Sequence, residues 1–396
     1  MDLLKKSFKK YFESNRKKIV HGEISICIGN EGCDLDSFIS SLVVGYAEEV
    51  IHVVNMKKEV FICKGELMWV CNKFGIEVDD LIFFERPMGQ FSPRARILGS
   101  YFLTKDGKYF LESKKITLHL TDHNDPVPEM IFNEIELIID HHKLEDHIYN
   151  VKRIYIDIDV GSATTLVSKY LGKDLSRKHH CVKSTKESLS KAEKKMKETL
   201  CSCIAQLLLI PILTDTRFLK RRTSIFDYLE YKKLKKRASI SNKELRKNLR
   251  GMKKARSNDK EYPTEIILQK DYKNYLFNEM RFGCSTVKYD FEVWIEREGK
   301  GSKGVKQDKI GTVLLSQLQS FKEDMGIDFL IVGCKLKKKR HYIILNLPYL
   351  TIFSKENLFE LVNYKGLSYF RAPVELSRKL LVPRIKAFLN RSKICA

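Results

Sequence analysis

Three short apolar runs, Ile24 to Ile28, Ile116 to Leu120 and Ile135 to Ile139, interrupt an otherwise mixed chain, and each stops at a polar cluster. Mainly apolar runs of this length, rich in isoleucine, predict buried strands. Beyond Asp36 the period changes. Phe38, Ile39, Leu42, Val43, Tyr46, Ala47 and Val50 recur at helical spacing, which predicts a buried helix entered directly from the first run. Further strands are expected at Val60 to Cys63 and Leu81 to Phe84, with a helix between them at Gly65 to Phe74. This alternation predicts an α/β fold, a doubly wound and mainly parallel sheet. Lys191 to Leu213 reads as one long helix bent at Pro211. In the second half, strands are expected at Phe291 to Ile295, Phe329 to Gly333 and Tyr342 to Leu347, within a smaller α/β domain. An active site in the cleft between the two domains is the expectation.

The polar clusters that end the apolar runs carry the chemistry. They are Gly29-Asn30-Glu31-Gly32-Cys33-Asp34-Leu35-Asp36-Ser37, Thr121-Asp122-His123-Asn124 and Asp140-His141-His142, and Thr214-Asp215-Thr216 follows the long helix. Ligands of open α/β sheets bind at the carboxyl ends of strands. An Asp-x-Asp after a strand is also a common helix N-cap, because Asp accepts from exposed backbone N–H groups. Two histidines behind a carboxylate are costlier to explain without a partner. Oxygen and imidazole donors with no thiolate suit Mg²⁺ or Mn²⁺.

The order of these clusters resembles the DHH phosphoesterase superfamily, in the branch of the eukaryotic exopolyphosphatases, the Prune-like proteins and the family II inorganic pyrophosphatases. Val160-Gly161-Ser162-Ala163-Thr164-Thr165 and Leu213-Thr214-Asp215-Thr216 extend the likeness through the first half. Lys270-Asp271-Tyr272-Lys273, Phe282-Gly283-Cys284-Ser285-Thr286-Val287 and Ser377-Arg378-Lys379 are similar to that branch's phosphate-gripping second domain, of DHHA2 type. No Gly-Gly-Gly-His stretch occurs, which argues against the oligonucleotide-cleaving branches. The resemblance implies two divalent cations, Mg²⁺ or Mn²⁺, bridged by Asp122. Asp34, helped by Asn30, would hold one, and Asp36, His141 and Asp215 the other. It implies that His142 faces the substrate, with Asp122 and His142 as the catalytic pair, and that Asp140 orients its neighbours. His123, Lys273, Arg378 and Lys379 would contact phosphate. The pyrophosphatases begin the first motif with a histidine where this chain has Asn30, as the exopolyphosphatases do. Asn is a weaker, neutral donor. The expected activity is therefore release of orthophosphate from the end of inorganic polyphosphate. The alternatives are a pyrophosphatase or cyclic nucleotide phosphodiesterase, and a non-enzymatic Prune-like polyanion-binding protein.

Composition refines this picture. The 396 residues, 43% hydrophobic and 31% charged, suffice for two domains with separate cores. The expected division is a metal-bearing domain over 1–225, a basic connector over 226–260 and a phosphate-binding domain over 261–396. From Arg217 to Lys260 there are 17 basic and 4 acidic residues, an excess of +13 within a formal net charge of +22. Such a run is usually a solvated helical face or flexible connector, but basic surfaces also concentrate anionic substrates. Nucleic acid is disfavoured without being excluded, since the only aromatic residues of the stretch, Phe218, Phe226, Tyr228 and Tyr231, lie near its start. The ten cysteines form no Cys-x-x-Cys pair, so a reducing compartment is expected rather than a disulfide framework. Zinc at His179-His180-Cys181 with Cys201 and Cys203 is disfavoured in the polar stretch Gly172 to Lys197, read as an insertion. Met1 to Lys18 reads as a helix docked on the first domain rather than a secretory signal, and no membrane span is expected. A cytoplasmic location is expected, with a polyphosphate-storing organelle or mitochondrion as the alternative.

Overall fold

The structure, a computed structural model, describes residues 2–87, 93–127, 130–144, 149–172, 191–256, 262–300, 304–336, 339–346 and 359–394. Two compact units divide the chain, the first spanning Met1–Pro87 and Pro93–Asn258, the second containing Asp259–Ala396. His179, His180 and Cys181 lie outside the described residues.

In the first unit the described elements follow in the order α1 (Asp2–Lys18), β1 (Glu23–Ile28), α2 (Leu35–Glu48), β2 (Ile51–Val54), α3 (Lys58–Ile62), α4 (Gly65–Phe74), β3 (Ile82–Glu85), α5 (Pro93–Leu98), β4 (Tyr101–Thr104), β5 (Gly107–Phe110), β6 (Lys115–Thr121), β7 (Glu134–Asp140), β8 (Val151–Ile156), α6 (Ala163–Leu171), α7 (Lys191–Asp215), α8 (Ile225–Ala238) and α9 (Asn242–Arg256). The eight-stranded sheet runs β5-β4-β3-β2-β1-β6-β7-β8. From β3 through β8 all pairings are parallel, and β4 and β5 add an antiparallel edge. Strand order leaves β1 toward β2 on one side and toward β6 on the other, so a topological switch point lies between β1 and β6. The crevice at such a point is where open sheets bind ligands.

The apolar runs at β1, β6 and β7 are strands as expected, and Ile26, Ile116, Leu118, Leu120, Ile135 and Ile138 are fully buried in one core. Val60 to Cys63 is corrected: these residues belong to helix α3 and its C-cap, and the strand beside β1 is Ile51–Val54 instead. Val60 and Phe61 are buried from a short helix, a case where length and periodicity alone do not separate a buried strand from a helical turn. Asp34 is the N-cap of α2, its carboxylate accepting from the N–H groups of Asp36 and Ser37. Gly29 lets that turn close on β1, since a Cβ there would lie 2.2 Å from Ser37 Oγ. α1 docks its buried Leu4, Phe8, Tyr11 and Phe12 against α7 and β2.

α7 is the one helix among the described residues long and apolar enough to cross a membrane, and 67% of its apolar window is buried inside the protein. It acts as a core helix, packed on α2, α6 and α8. Cys201 and Cys203 are buried on it. The stretch read as a connector is also corrected. Its two helices α8 and α9 pack on the first unit, α8 against α6 and α7, α9 against α4. Leu234, Ala238, Leu245 and Met252 supply the buried contacts. These apolar positions are outnumbered by lysine and arginine, which hid the pattern in the sequence.

The second unit contains α10 (Thr264–Gln269), β9 (Tyr272–Phe277), β10 (Met280–Val287), α11 (Phe291–Gly299), α12 (Gly311–Asp324), β11 (Phe329–Leu336), β12 (Lys339–Leu345), β13 (Glu360–Tyr364), β14 (Leu367–Pro373) and α13 (Arg378–Ile394). Its six-stranded sheet runs β13-β14-β12-β11-β10-β9, with only β10 and β11 parallel. One apolar cluster joins residues of α10, α11 and α12 to the sheet, and another joins α13 to it. Phe291 to Ile295, expected as a strand, is the start of α11: Asp290 caps it by accepting from Glu292 N–H, and Phe291, Trp294 and Ile295 are buried at helical spacing. The expected strands at Phe329 and Tyr342 are β11 and β12.

Candidate metal centre

Four chain segments meet at the switch point. Asn30 and Asp36 follow β1, Asp122 follows β6, His141 and His142 follow β7, and Asp215 ends α7. Asp122 holds a left-handed backbone, φ 61°, at a cost of about 1 kcal/mol or more. Its N–H donates to Ile139 O, 2.9 Å, so β6 and β7 jointly set the carboxylate in place.

Asp122 is buried, 3% exposed, and lies 3.2 Å (Oδ1) from His141 Nε2. The other ring nitrogen of His141 lies 3.1 Å from Val160 O. With Nδ1–H donated to that carbonyl, Nε2 carries the proton that bonds Asp122 and is the nitrogen a cation would take, a contact of the kind that orients metal-binding histidines. His141 Nε2 also lies 3.8 Å from Asp36 Oδ2. Asp122, His141 and His142 each present a donor atom within 4.8 Å of the others, a group able to hold a cation.

Asp36 is gripped from behind. Ser162 Oγ donates at 2.7 Å and Thr164 N–H at 2.9 Å to Oδ1, while Ala163 N–H donates to Oδ2 at 2.6 Å. The start of α6 therefore contributes exposed helix N–H groups to a carboxylate, as its partial positive charge favours. Sequence reading placed no role on Ser162, Ala163 or Thr164. The signal lay in the run of small residues before a helix, which no periodicity distinguishes from an ordinary cap.

Burial pushes the carboxyls of Asp36, Asp122 and Asp215 above the ordinary range. Negative neighbours add to it: Asp36 acts on Asp122, and Asp36, Asp34 and Asp122 all act on Asp215. His141 moves oppositely. Against burial, which pulls it down, the hydrogen bond to Asp122 and the charges of Asp36 and Asp122 push it up to about 10. A surplus of buried carboxylates compensated by one imidazolium is an arrangement that a divalent cation relieves, and the oxygen and imidazole donor set fits Mg²⁺ or Mn²⁺.

Asp140 is fully buried, accepting from His142 Nδ1 at 2.8 Å, Asn124 Nδ2 at 2.6 Å and His141 N–H at 2.7 Å. Against burial, the His142 and Asn124 contacts hold its carboxyl below the usual range. These bonds hold the His142 ring and the His141 backbone. Asn30 takes a different part from an amide-oxygen ligand: its Nδ2 donates to Asp122 Oδ2 at 2.7 Å, and its Oδ1 accepts from Cys33 N–H at 3.2 Å. Asp34 is exposed, with Oδ1 committed to capping α2. His123 Nδ1 lies 2.9 Å from Thr121 O.

Two supports escaped the sequence reading. Lys64 is buried and its ammonium donates to Gly32 O and, at 3.1 Å, to Cys33 O, fixing the loop before Asp34. Asn55 Nδ2 donates to Gly29 O at 2.9 Å. A single lysine or asparagine without a motif gives no warning of such a role.

Lys273, Arg378 and Lys379 belong to the second unit. Arg378 NH1 donates to Asp271 O at 2.9 Å and NH2 to Asp271 Oδ1 at 2.9 Å, with Cys284 O at 3.4 Å from NH1. Lys273 pairs with Cys284 in the ladder, so both cations border one point of β10, and Lys379 is exposed beside them in sequence.

A family model described as the DHHA2 domain matches residues 250–388. A Schizosaccharomyces pombe protein named as an exopolyphosphatase is 24% identical over 330 residues, covering 80% of this chain and 74% of that one. The chain therefore carries a DHHA2 domain over residues 250–388, and its likeness is to the DHH phosphoesterase superfamily. Within that superfamily the likeness is to the exopolyphosphatases and family II pyrophosphatases. Exopolyphosphatase PRUNE1 of Rattus norvegicus is 23% identical over 323 residues, 78% of this chain, which spans 59% of the rat protein's length. A Methanococcus jannaschii structure described as a family II inorganic pyrophosphatase shares the fold, with TM-score 0.55, 20% identity, and coverage of 92% of this chain and 98% of that one.

Proposed function

We propose that this protein is a divalent-cation-dependent exopolyphosphatase that releases orthophosphate from the end of inorganic polyphosphate. The observation that carries the reading is the convergence of Asp36, Asp122, Asp215 and His141 at the switch point, two buried acids and a half-buried one around one imidazole. Two relatives named as exopolyphosphatases support the substrate class, as does Asn30 in place of a ligating histidine.

Asp122, Asp36, Asp215 and His141 Nε2 would hold Mg²⁺ or Mn²⁺, joined by the uncommitted oxygen of Asp34. When bound, the cations supply the charge that makes water a nucleophile near neutral pH and neutralises the transferred phosphate. The chain's own residues do the rest. Asn30 Nδ2 and His141 hold Asp122 in one orientation. The α6 start prevents Asp36 from turning away. His142, 37% exposed with Nδ1 tied to Asp140, leaves Nε2 to hold a proton toward a phosphate oxygen, and the leaving phosphate takes up charge that such a donor offsets.

Phosphate release from long-chain polyphosphate, tripolyphosphate and pyrophosphate, with Mg²⁺ or Mn²⁺ and with Asp122→Asn as control, tests the proposal. Release from the polyphosphates that the variant lacks is the expected result. Faster release from pyrophosphate reassigns the activity, and silence on all three leaves a binding protein.

A further inference from the structure

α9 packs on α4 and touches segments that adjoin two of the site's motifs. Near its start Arg246 lies over the Phe218 ring, 5.3 Å away, in the turn that leaves Asp215. That turn is fixed against the site: Arg217, Phe218 and Leu219 are all left-handed, and the Arg222 carbonyl packs so closely on Gly161 that a Cβ there would lie 2.2 Å away. Gly161 directly precedes the residues that grip Asp36. At its other end, α9 sets Ala255 O against Gly65, where a Cβ would come within 1.9 Å, and Arg256 pairs with Glu66 at 3.2 Å. The neighbouring Lys64 holds the loop before Asp34. One helix thus runs from the fourth motif to the first.

Its outward face is cationic. With Leu245 and Met252 buried, the 3.6-residue period puts Lys243, Lys247, Arg250 and Lys254 on the opposite side, and all four are exposed. At 1.5 Å per residue they span about 16 Å. Glu244 is the sole acid of the helix. A phosphate polymer with bases would also seek ring faces to stack on. Here Phe218, Phe226, Tyr228 and Tyr231 each carry one of the chain's own cations over a face: Arg246, Lys169, Lys232 and Lys235, at 5.3, 4.4, 4.5 and 5.9 Å. Charge is offered without a stacking platform.

We infer that the outward face of α9 is a holding surface for the distal part of an inorganic polyphosphate chain whose end occupies the metal centre. Its ligand rests on the exopolyphosphatase reading; its existence is tested without catalysis. The full chain is titrated with long-chain polyphosphate and with tripolyphosphate in EDTA over a range of salt. The test variant is Lys243→Gln, Lys247→Gln, Arg250→Gln and Lys254→Gln combined. The control removes equal charge from α1, with Lys6→Gln, Lys9→Gln, Lys10→Gln and Lys17→Gln. The α9 variant should bind the long polymer at least about tenfold more weakly at physiological salt, its log–log salt slope shallower by about 3. Tripolyphosphate binding should not change, and the α1 control should stay within about twofold of wild type. Equal binding by the α9 variant and wild type overturns the inference, as does equal weakening in both variants. Single-stranded DNA of matched length that binds as tightly as polyphosphate and loses as much in the α9 variant overturns the choice of ligand. Phosphate release, measured separately with metal, reports on the catalytic reading alone, so the holding surface stands or falls independently of it.

Discussion

Asp227 offers a quantitative test of how the metal centre is held. It is completely buried and joins α8 to the α6 start. Oδ2 accepts from Gly161 N–H at 2.9 Å, Ser224 N–H at 2.7 Å and Ser224 Oγ at 2.9 Å, while Oδ1 accepts from Thr165 Oγ1 at 2.5 Å. Asp227→Ala strands two backbone N–H groups that cannot turn elsewhere. At about 1–3 kcal/mol for each of the two donors left without a partner, the loss is about 2–6 kcal/mol. For a unit of this size that is a fall of about 4–24 °C in Tm. Asp227→Asn should behave differently. An amide oxygen at the Oδ2 position keeps all three of its donors, the new NH₂ faces Thr165 Oγ1, and a hydroxyl can rotate to accept. The expected loss is about 1–2 kcal/mol. Because Gly161 leads into the Ser162–Thr164 grip on Asp36, Asp227→Ala should also weaken Mn²⁺ binding by about 10–100-fold, the usual cost of losing a support behind a ligand. Calorimetric melting and Mn²⁺ titration of the two variants decide the matter. Equal Tm for Ala and Asn, or an Ala variant within about 1 kcal/mol of wild type, refutes the argument that these backbone donors depend on the carboxylate.

Two further predictions concern charge. His52, buried beneath Phe38 with Ser41 Oγ 3.2 Å from Nε2, is pushed down to about 3 by burial. Unfolded it titrates near the ordinary 6.5, so between those values the unfolded chain binds the extra proton. Its contribution is fully present above pH 6.5 and is lost as pH falls toward 3, with a slope of about 1.4 kcal/mol per pH unit; denaturant unfolding of His52→Phe should show a flatter pH dependence in this window, and an unchanged slope contradicts the assignment. In Asp122→Asn the Mn²⁺-induced rise in stability should vanish, whereas wild type at a hundredfold excess over Kd gains about 2.7 kcal/mol. A full-sized rise in the variant would remove Asp122 from the metal set.

The chain disclosed its chemistry more readily than its packing. Strand ends carrying Asp34, Asp122 and His141 were legible because a parallel sheet demands uninterrupted apolar strands, and a run that halts at acids and histidines marks the end where ligands gather. Short elements were not. Val60 to Cys63 and Phe291 to Ile295 are apolar pieces of four or five residues, and what makes them helical is local: the Asp290 cap and the i, i+3, i+4 burial of Phe291, Trp294 and Ile295. α8 and α9 were read as a connector because so few apolar residues seat them, with Leu245 and Met252 sufficing for α9. Supports such as Lys64, Asn55 and Asp227 bind backbone groups far away in sequence, and long-range hydrogen bonds leave no periodic trace.

The centre is also where local stability has been given up. Buried Asp36 and Asp122 and half-buried Asp215 lie near one another, and their raised carboxyls mean that the folded chain holds protons the unfolded chain has released. Without a cation, each such group loses stability as pH rises above the ordinary carboxylate value. His141 offsets part of this, since its position at about 10 gives stability fully present below 6.5 and lost only as pH rises through 10. One imidazolium cannot balance three acids. The left-handed Asp122 adds strain to the same point. Fixed donors behind Asp36 and Asp140 keep these carboxylates together although their mutual repulsion would separate them, so the scaffold rather than the ligand pays for assembly, and a divalent cation meets a site already arranged for it.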